Sequence, residues 1–498
     1  MGNNKIYFLV LTFLLITGTI NCQNDNYYFN VQALGGYTTP GVVPFWLRSN
    51  QYGSIPLDGA SLSLIGSARK DYDLSKDKLF DWGASFEGRA NLGQGSNLTL
   101  IEGYGKIRVG ILELRAGRSK KITGLCDTTL TSGSWAISGT NLGIPEIELS
   151  VRDFWTFPWL GQLFAFKGNF SHGWMGDLQM DRYILHDTLT LGSYLHQKSL
   201  YGRFGKPSWR LKLYGGFNHQ VVWGHEQDYY LDDYTLSPIQ TYFYVITGKR
   251  YTNGYIQSER QGNHLGTIDL GFEYAFDKIK ILIYRQNIYE AGALAHLANI
   301  QDGLNGLSIE NKKPGNQTLA WKKILLEFLY TKKQSKDSWS PYVDEIYYES
   351  YYNHGQYIQG WSYNGAGLGT PFINTRTWLR EDLAFDPGDY FVNNRVMVVH
   401  LGSEGTIKNL SYLFKVSWSN NFGTYLTANP EDAEGIKDAG KYGVFGEQKQ
   451  LSTYLELNRS LNNGLNLGLI GAFDIGDLYY NSFGLFLKAS YSFNSKIL

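Results

Sequence analysis

Apolar and polar residues alternate with a period of two along most of the chain. In the last segment the apolar face consists of Phe483, Leu485, Leu487, Ala489, Tyr491 and Phe493. The same alternation recurs near residues 82–91, 209–218, 268–274, 410–419 and 465–473. Strict alternation of this kind predicts β-strands that present one apolar and one polar face.

The predicted strands are about 10–12 residues long, which is long enough to cross about 25 Å of hydrocarbon when the strands tilt. Aromatic residues stand at the ends of several segments, as Trp82, Trp209 and Trp418 do. Such positions suit the aromatic girdles of a membrane barrel. The pattern therefore predicts an all-β chain that forms a transmembrane antiparallel β-barrel of about 16–18 strands. The alternative is a soluble sandwich whose polar faces are solvated.

The lengths of the joins between strands predict the orientation of the barrel. If the C-terminus lies in the periplasm, the short joins near 206–208, 275–277, 314–319, 403–408 and 461–463 also face the periplasm. The joins near 175–193, 222–263, 290–303, 334–390 and 421–448 are long and face outward. Short periplasmic turns and long outer loops are the asymmetry expected of an outer-membrane barrel.

The N-terminus reads as a secretion signal. A basic residue, Lys5, precedes an apolar run that continues to Ile16 and is too short for a membrane-spanning helix. We expect residues 1–22 to be a signal peptide, residues 23–60 to be a periplasmic lead-in or plug segment, and residues 61–498 to be the barrel. Lipidation of Cys22 is an alternative, although Asn21 before it is not a small residue.

Composition agrees with an apolar exterior. Aromatic residues make up 15% of the chain and there are 57 glycines, whereas charged residues make up only 18%, against about 25% in average proteins. The many aromatics exclude a disordered chain. The 45 basic and 45 acidic residues balance, so a nucleic-acid partner is not expected. The partner that this composition predicts is outer-membrane lipid.

We find no catalytic motif in the sequence. It contains no G-x-S-x-G elbow, no phosphate-binding loop and no H-E-x-x-H zinc motif. An acidic cluster formed by Glu431, Asp432 and Glu434 could bind Ca²⁺, although a solvated loop accounts for it better. We therefore expect a protein that is not an enzyme and that has no cofactor and no metal site.

Two predicted outer loops are rich in aromatic residues interleaved with amides and carboxylates. Flat aromatic faces beside a few polar groups suit sugar rings. The sequence therefore predicts a polysaccharide-binding site formed by Tyr229, Tyr230, Tyr348, Tyr351, Tyr352, Tyr357, Trp361 and Tyr363. The alternative is that these side chains pack the loops into a folded cap, and both can hold together.

Short fragments in a fixed order give the chain a resemblance to a known family. They are Pro44–Leu47 with Asn50–Gly53, Ser132–Ser134 with Ala136–Ser138, Leu195–Ser199, Asn218–Gln220 with Trp223–Gly224, Gly262–Gly266, Asp302–Leu304, Tyr352–Gly355 with Gly360–Tyr363, Gly369–Phe372 and Asn394–Val396. With these fragments the chain resembles the Wzi family of outer-membrane capsule-assembly proteins, in the form found in Bacteroidetes-type bacteria.

The resemblance implies a barrel of about 18 strands in the outer membrane of a Gram-negative bacterium. It also implies a lectin-like role, in which the protein holds capsular or other surface polysaccharide and neither cuts nor makes it. The family has a periplasmic helical part, and the short segment before the predicted barrel leaves little room for one here. The alternative function is a porin-like channel for solutes or glycans. The sequence leaves open which polysaccharide binds, whether the lumen is open, and the oligomeric state.

Overall fold

The computed structural model describes residues 26–494 apart from 74, 76–77, 183–186, 255, 291, 316–317, 336–347, 434–435, 437 and 462–463. The expected signal peptide, residues 1–22, therefore lies outside the described residues. No helix in the described part of the chain is long and apolar enough to cross a membrane.

Eighteen antiparallel strands form one closed barrel, as the alternation predicts. The first nine are β1 Tyr27–Thr38, β2 Ala60–Lys70, β3 Phe80–Leu92, β4 Asn97–Val109, β5 Leu112–Arg118, β6 Glu146–Thr156, β7 Phe164–Arg182, β8 Asp187–Phe204 and β9 Leu211–Trp223. The others are β10 Asn263–Ala275, β11 Ile279–Tyr289, β12 Gly303–Asn311, β13 Leu319–Tyr330, β14 Val396–Ile407, β15 Leu410–Asn421, β16 Gln448–Ser460, β17 Leu465–Gly476 and β18 Ser482–Asn494.

Each strand pairs with the next along the chain, and β1 pairs with β18 to close the cylinder. In that closing pair Val31 lies opposite Tyr491, and Leu34 lies opposite Lys488. Closure removes every exposed sheet edge, which is required of a sheet surrounded by lipid.

The two faces of the strands separate as the sequence predicts. On β18 the side chains of Phe483, Leu485 and Leu487 are exposed on the outer wall, whereas Phe486 between them is buried in the lumen. On β15 Trp418 is exposed, and Ser417 and Ser419 are buried. The apolar set therefore faces lipid, and the polar set faces the lumen.

Two expected boundaries are wrong. We expected the barrel to begin at residue 61, but β1 already begins at Tyr27 and is hydrogen-bonded to β2 and β18. Its glycines and mixed polarity hide the alternation. We also expected a long outer loop at 175–193, whereas most of it belongs to β7 and β8, which extend well beyond the length needed to cross a bilayer.

The helices all lie in loops. They are α1 Phe45–Arg48, α2 Glu226–Tyr230 and α3 Pro238–Thr247. Single 3-10 turns occur at Leu160–Gln162, Leu231–Asp233, Ala293–His296, Arg376–Trp378, Tyr425–Thr427 and Pro430–Asp432. Three small strand pairs also lie in loops, namely Arg250–Asn253 with Ile256–Arg260, Ser362–Tyr363 with Ala366–Gly367, and Asn374–Thr375 with Phe391–Asn393.

One rim of the barrel carries the long joins, and we call it the long-loop rim. Its largest joins are residues 39–59, 119–145, 224–262, 331–395 and 422–447. The opposite rim, the short-turn rim, carries joins of two to nine residues. The C-terminal end of β18 lies at the short-turn rim, as the sequence predicts.

Candidate functional site

Three joins from the long-loop rim pack against one another across the lumen. We call them the first plug segment (residues 39–59), the second plug segment (residues 119–145) and the long loop (residues 331–395). They are anchored to lumen-facing side chains of the wall.

The first plug segment holds α1, in which Phe45, Trp46 and Leu47 are buried. The backbone N–H of Phe45 donates a 2.7 Å hydrogen bond to the Asp474 carboxylate of β17. The Trp46 ring lies 5.2 Å from the His400 ring of β14. This segment was expected at the periplasmic mouth. Because β1 precedes it, it instead begins at the long-loop rim and contacts lumen-facing wall residues from that side.

The second plug segment joins β5 to β6 but is hydrogen-bonded to strands on another part of the wall, β10 and β13. The Leu125 N–H donates to Asp269 of β10 over 2.7 Å, and the Ser132 N–H donates to Glu327 of β13 over 2.6 Å. An ion pair of 3.0 Å joins Asp127 to Lys323. These charge-assisted bonds tie the backbone of the segment across the bore.

The long loop covers both plug segments. Its Trp361 Nε1–H donates a 2.7 Å hydrogen bond to the carbonyl of Ala136, and its Leu368 carbonyl accepts from the Ser138 N–H over 3.0 Å. The Phe372 ring lies 4.8 Å from the Phe45 ring of the first plug segment. The three segments therefore bury two apolar clusters inside the long-loop end of the barrel. One contains Phe45 and Phe372, and the other, around Trp135 and Trp361, is the core of the cap.

Most of the predicted sugar-binding aromatics belong to this core and present no open face. Exposure is 7% or less for Tyr351, Tyr352, Tyr357, Trp361 and Tyr363. Tyr230 is also buried, but in a separate cluster with Tyr234 and Tyr251. Their polar tips are also occupied. The Tyr351 hydroxyl donates to Asp302 over 2.7 Å, and Tyr352 Oη accepts from the Thr370 N–H over 2.9 Å. Sequence alternation cannot show burial inside a loop cap, and for these side chains the packing alternative describes the structure.

Tyr348 is half-buried, away from that core. Its ring contacts Tyr425 at 4.9 Å, and Arg395 lies 4.1 Å from the centre of the Tyr425 ring. Tyr342 and Tyr347, which the same sequence run contains, lie outside the described residues.

Tyr229 and Tyr230 border a cleft on the outer surface of the loops, with a volume of about 390 Å³. Their rings meet edge to face at 4.8 Å. Tyr229 is only half-buried, so part of its ring is open to the cleft. The lining residues are Asp181, Tyr229, Tyr230, Glu259, Arg260, His354, Gly355 and Gln356. We call this the loop cleft.

Three elements build the loop cleft. Helix α2 supplies the two tyrosines, the small strand Ile256–Arg260 supplies Glu259 and Arg260, and the tip of β7 supplies Asp181. The long loop joins them, because Gln356 Nε2–H donates to Tyr230 Oη over 2.7 Å and the Asp181 N–H donates to the Gln356 carbonyl over 2.8 Å.

Charge in the loop cleft is mixed. Two carboxylates, Asp181 and Glu259, stand with one guanidinium, Arg260. Burial lowers the pKa of His354 to about 4, so its ring is neutral at pH 7. Burial also raises the pKa of the Tyr230 hydroxyl, which stays protonated. The cleft therefore combines an aromatic face with neutral and charged hydrogen-bonding groups, as a polar sugar requires.

The sequence did not single out Asp181, Glu259 or Arg260. Asp181 lies in β7, far along the chain from Glu259 and Arg260 in the small strand Ile256–Arg260, and no local motif connects them. The described residues contain no group of three His, Cys, Asp or Glu side chains arranged to hold a metal ion.

The fold is similar to that of solved outer-membrane barrels. Wzi, an outer membrane protein involved in group 1 capsule assembly in Escherichia coli and described as a carbohydrate-binding β-barrel, is 15% identical, with a TM-score of 0.54 over 98% of this chain and 88% of that chain. OccAB4 of Acinetobacter baumannii is 9% identical, with a TM-score of 0.42 over 95% of this chain and 100% of that chain. OprD of Pseudomonas aeruginosa is 10% identical, with a TM-score of 0.42 over 94% and 95%.

No protein-family model and no curated protein matches the chain. At these identities, the similarity to Wzi shows the fold alone. The chain has the fold of an outer-membrane β-barrel.

Proposed function

We propose that this protein binds and anchors capsular or other surface polysaccharide at the cell surface, without catalysis. The observation that carries the proposal is the loop cleft, which stands on a long-loop rim whose lumen is packed with protein. A molecule that reaches this rim from outside can contact the aromatic and polar side chains that line the loop cleft.

In this proposal the open part of the Tyr229 ring packs against the C–H face of a sugar ring. Asp181, Glu259 and Gln356 accept or donate hydrogen bonds to its hydroxyls, and Arg260 binds an acidic substituent where the polymer has one. A cleft of about 390 Å³ suits two or three sugar residues of a longer chain, so that affinity for the polymer comes from many weak repeats.

The packed lumen supports attachment over passage. A porin-like channel needs a water-filled bore, whereas here the first plug segment, the second plug segment and the long loop pack together across it. Backbone groups of the second plug segment are hydrogen-bonded to Asp269 and Glu327 on the wall. Transport would require those bonds to break.

Membership of the Wzi family is part of the proposal. The fold is similar to that of a barrel described as carbohydrate-binding. In addition, four of the fragments that carry the sequence resemblance, Pro44–Leu47, Ser132–Ser134, Gly360–Tyr363 and Gly369–Phe372, belong to the three segments that pack across the lumen.

We further propose that the protein lies in the outer membrane of a Gram-negative bacterium, with the long-loop rim facing outward. The exposed apolar wall and the short joins of the opposite rim agree with this location. Export through the signal peptide predicted at residues 1–22 would deliver the chain to the periplasm.

A deletion strain tests the function. We expect the polymer to be made in normal amount but shed into the medium, and attachment to return with the wild-type gene. Complementation with Tyr229→Ala should restore the barrel in the membrane but not the attached polymer. A deletion strain that keeps a normally attached capsule would contradict the proposal.

A further inference from the structure

The loop that contains α3 folds back onto the outside of the barrel wall. On the inner side of α3, Val245 packs against the outward-facing Val221 and Trp223 of β9. The Lys198 ammonium on the outer face of β8 donates a hydrogen bond to the Ile246 carbonyl at the end of the helix. This helix is therefore fixed to the wall and does not project from the rim.

The opposite side of α3 is apolar and exposed. Ile239 and Phe243, one helical turn apart, are 62% and 59% exposed. Near the end of the helix, the lipid-facing residues Phe217 of β9 and Ile268 of β10 are also exposed. The apolar side of the helix thus continues the apolar wall, and a helix of this kind lies in the membrane interface.

A cavity of about 430 Å³ opens between the C-terminal end of α3 and the outer wall. Its lining includes the apolar side chains of Phe217, Ile268 and Leu294 and the polar side chains of Arg260 and His219. An apolar wall beside a guanidinium is the arrangement that an amphipathic molecule with an anionic head fills.

His219 adds a polar atom that needs a partner. Its Nε2 lies 2.9 Å from His264 Nδ1, and His264 Nε2 lies 2.9 Å from the Gln261 carbonyl. The carbonyl can only accept, so each ring donates through Nε2 and His219 Nδ1 is left as an acceptor. Within the described part of the chain this buried Nδ1 has no hydrogen-bond partner. A hydroxyl or amide N–H would satisfy it.

One carboxyl, Glu290, also lines the cavity. It lies in the loop just beyond β11 and accepts a 3.1 Å hydrogen bond from the Tyr352 N–H. Burial raises its pKa well above the usual value for a glutamate. This group therefore offers little negative charge to oppose an anion held by Arg260.

We propose that this cavity binds a phosphorylated glycolipid of the outer leaflet. Arg260 holds the phosphate, His219 Nδ1 accepts from a sugar hydroxyl or amide, and the acyl chains lie along Phe217 and Ile268. Arg260 also lines the loop cleft, so the saccharide of the lipid leaves the cavity toward the proposed polysaccharide site. The inference rests on the outer-membrane location proposed above but not on polysaccharide binding.

Native mass spectrometry of the full-length protein in mild detergent tests the site. The probes are purified lipid A, which carries phosphate, its dephosphorylated form, and phosphatidylethanolamine. We expect lipid A to bind about tenfold more tightly than the dephosphorylated form, because a charge-assisted contact is worth about 1.5 kcal/mol. Equal binding of all three lipids would overturn the proposal.

Variants assign the effect to the cavity. Arg260→Gln should lose about tenfold in lipid A affinity, and the double variant Phe217→Ala with Ile268→Ala should also weaken lipid A binding, because both side chains line the cavity. Arg210→Gln is the matched control, because this exposed arginine pairs with Asp277 at the short-turn rim. Unchanged lipid A binding in Arg260→Gln would overturn the assignment.

Polysaccharide binding measured on the same samples separates the two proposals. The double variant Phe217→Ala with Ile268→Ala should keep its polysaccharide binding, and Tyr229→Ala should keep its lipid A binding. If the wild-type protein binds polysaccharide but binds lipid A and its dephosphorylated form equally, only the lipid site is overturned. Lipid A binding without polysaccharide binding would overturn only the function proposed above.

Discussion

The side-chain amide of Gln356 donates a 2.7 Å hydrogen bond to the hydroxyl of Tyr230. These residues belong to two different loops of the long-loop rim, and the bond holds the loops together at the floor of the loop cleft. Tyr230 is buried, whereas its neighbour Tyr229 keeps part of its ring open. A sugar would therefore contact Tyr229 and be positioned by the pair beneath it.

Trp361 is expected to be a packing residue of the loop cap and not a ligand. Trp361→Ala removes a fully buried ring and the bond from Nε1–H to the Ala136 carbonyl, which should cost the cap about 3–5 kcal/mol. Limited proteolysis should then cut the long loop faster while the barrel stays intact. Trp159→Ala, an exposed tryptophan near the short-turn rim, is the control. Equal protease resistance in both variants would contradict the packing role.

His354 should make the cap sensitive to acid. Its pKa is lowered to about 4 from an unfolded value of about 6.5, so the neutral ring is favoured in the folded cap. As the pH falls from about 6.5 to about 4, the unfolded loop takes up a proton that the folded loop refuses, and stability falls. We expect a loss of about 2 kcal/mol, measured by hydrogen exchange of the long loop, given about 1.4 kcal/mol per pKa unit and a half-buried side chain.

His354→Gln supplies the comparison for that experiment. The glutamine cannot titrate, so the difference in loop stability between the two proteins should be constant above pH 7 and change toward pH 4, where only the wild-type loop loses stability through this ring. A difference that does not change with pH would show that the ring is not held neutral.

Asp389 should act in the opposite direction. Burial, with the nearby Asp386 carboxylate, raises the pKa of Asp389 to about 7. As the pH rises from about 4 to about 7, the unfolded loop releases a proton that the folded loop keeps, and stability falls. Asp389→Asn should therefore stabilise the long loop at pH 8, by about 2 kcal/mol for this half-buried group, and have little effect at pH 4. Thermal unfolding at the two pH values measures this, and an equal effect at both would contradict it.

The second plug segment should keep ions out of the barrel. Replacing residues 125–137 with a short Gly-Ser linker removes the backbone bonds to Asp269 and Glu327. We expect stable ionic currents from this variant in planar bilayers and none from the wild-type protein. A wild-type protein that already conducts as strongly as the variant would show that the plug does not close the lumen.

The barrel could be predicted from the sequence because lipid and lumen impose a period of two on every strand. The range of 16–18 strands, most of the joins and the outward position of Trp418 and Leu485 follow from that period. The strand β1 was missed because Gly35 interrupts its outward apolar face, while Gly36, on the lumen face, closely approaches the backbone of β18.

The site could be predicted only in part. The aromatic run around Tyr352 and Trp361 predicts an ordered loop. The sequence does not show whether an aromatic ring in that loop is buried in the cap or exposed to solvent. Whether a ring is buried depends on partners far away in the chain. The ring of Trp135, for example, lies 4.7 Å from the ring of Tyr352. Arg260 and Asp181 were missed for the same reason, since only the fold brings their strands together.

Equilibrium binding of the organism's own surface polysaccharide to the purified protein tests the central claim most directly. We predict that Tyr229→Ala weakens this binding by about tenfold or more, because burying a large aromatic side chain against a ligand is worth about 1.5–3 kcal/mol. Tyr442→Ala, which removes an exposed tyrosine from another loop of the same rim, should bind like the wild-type protein. If the polysaccharide does not bind, or binds equally to the wild-type protein and to Tyr229→Ala, the loop cleft is not its site.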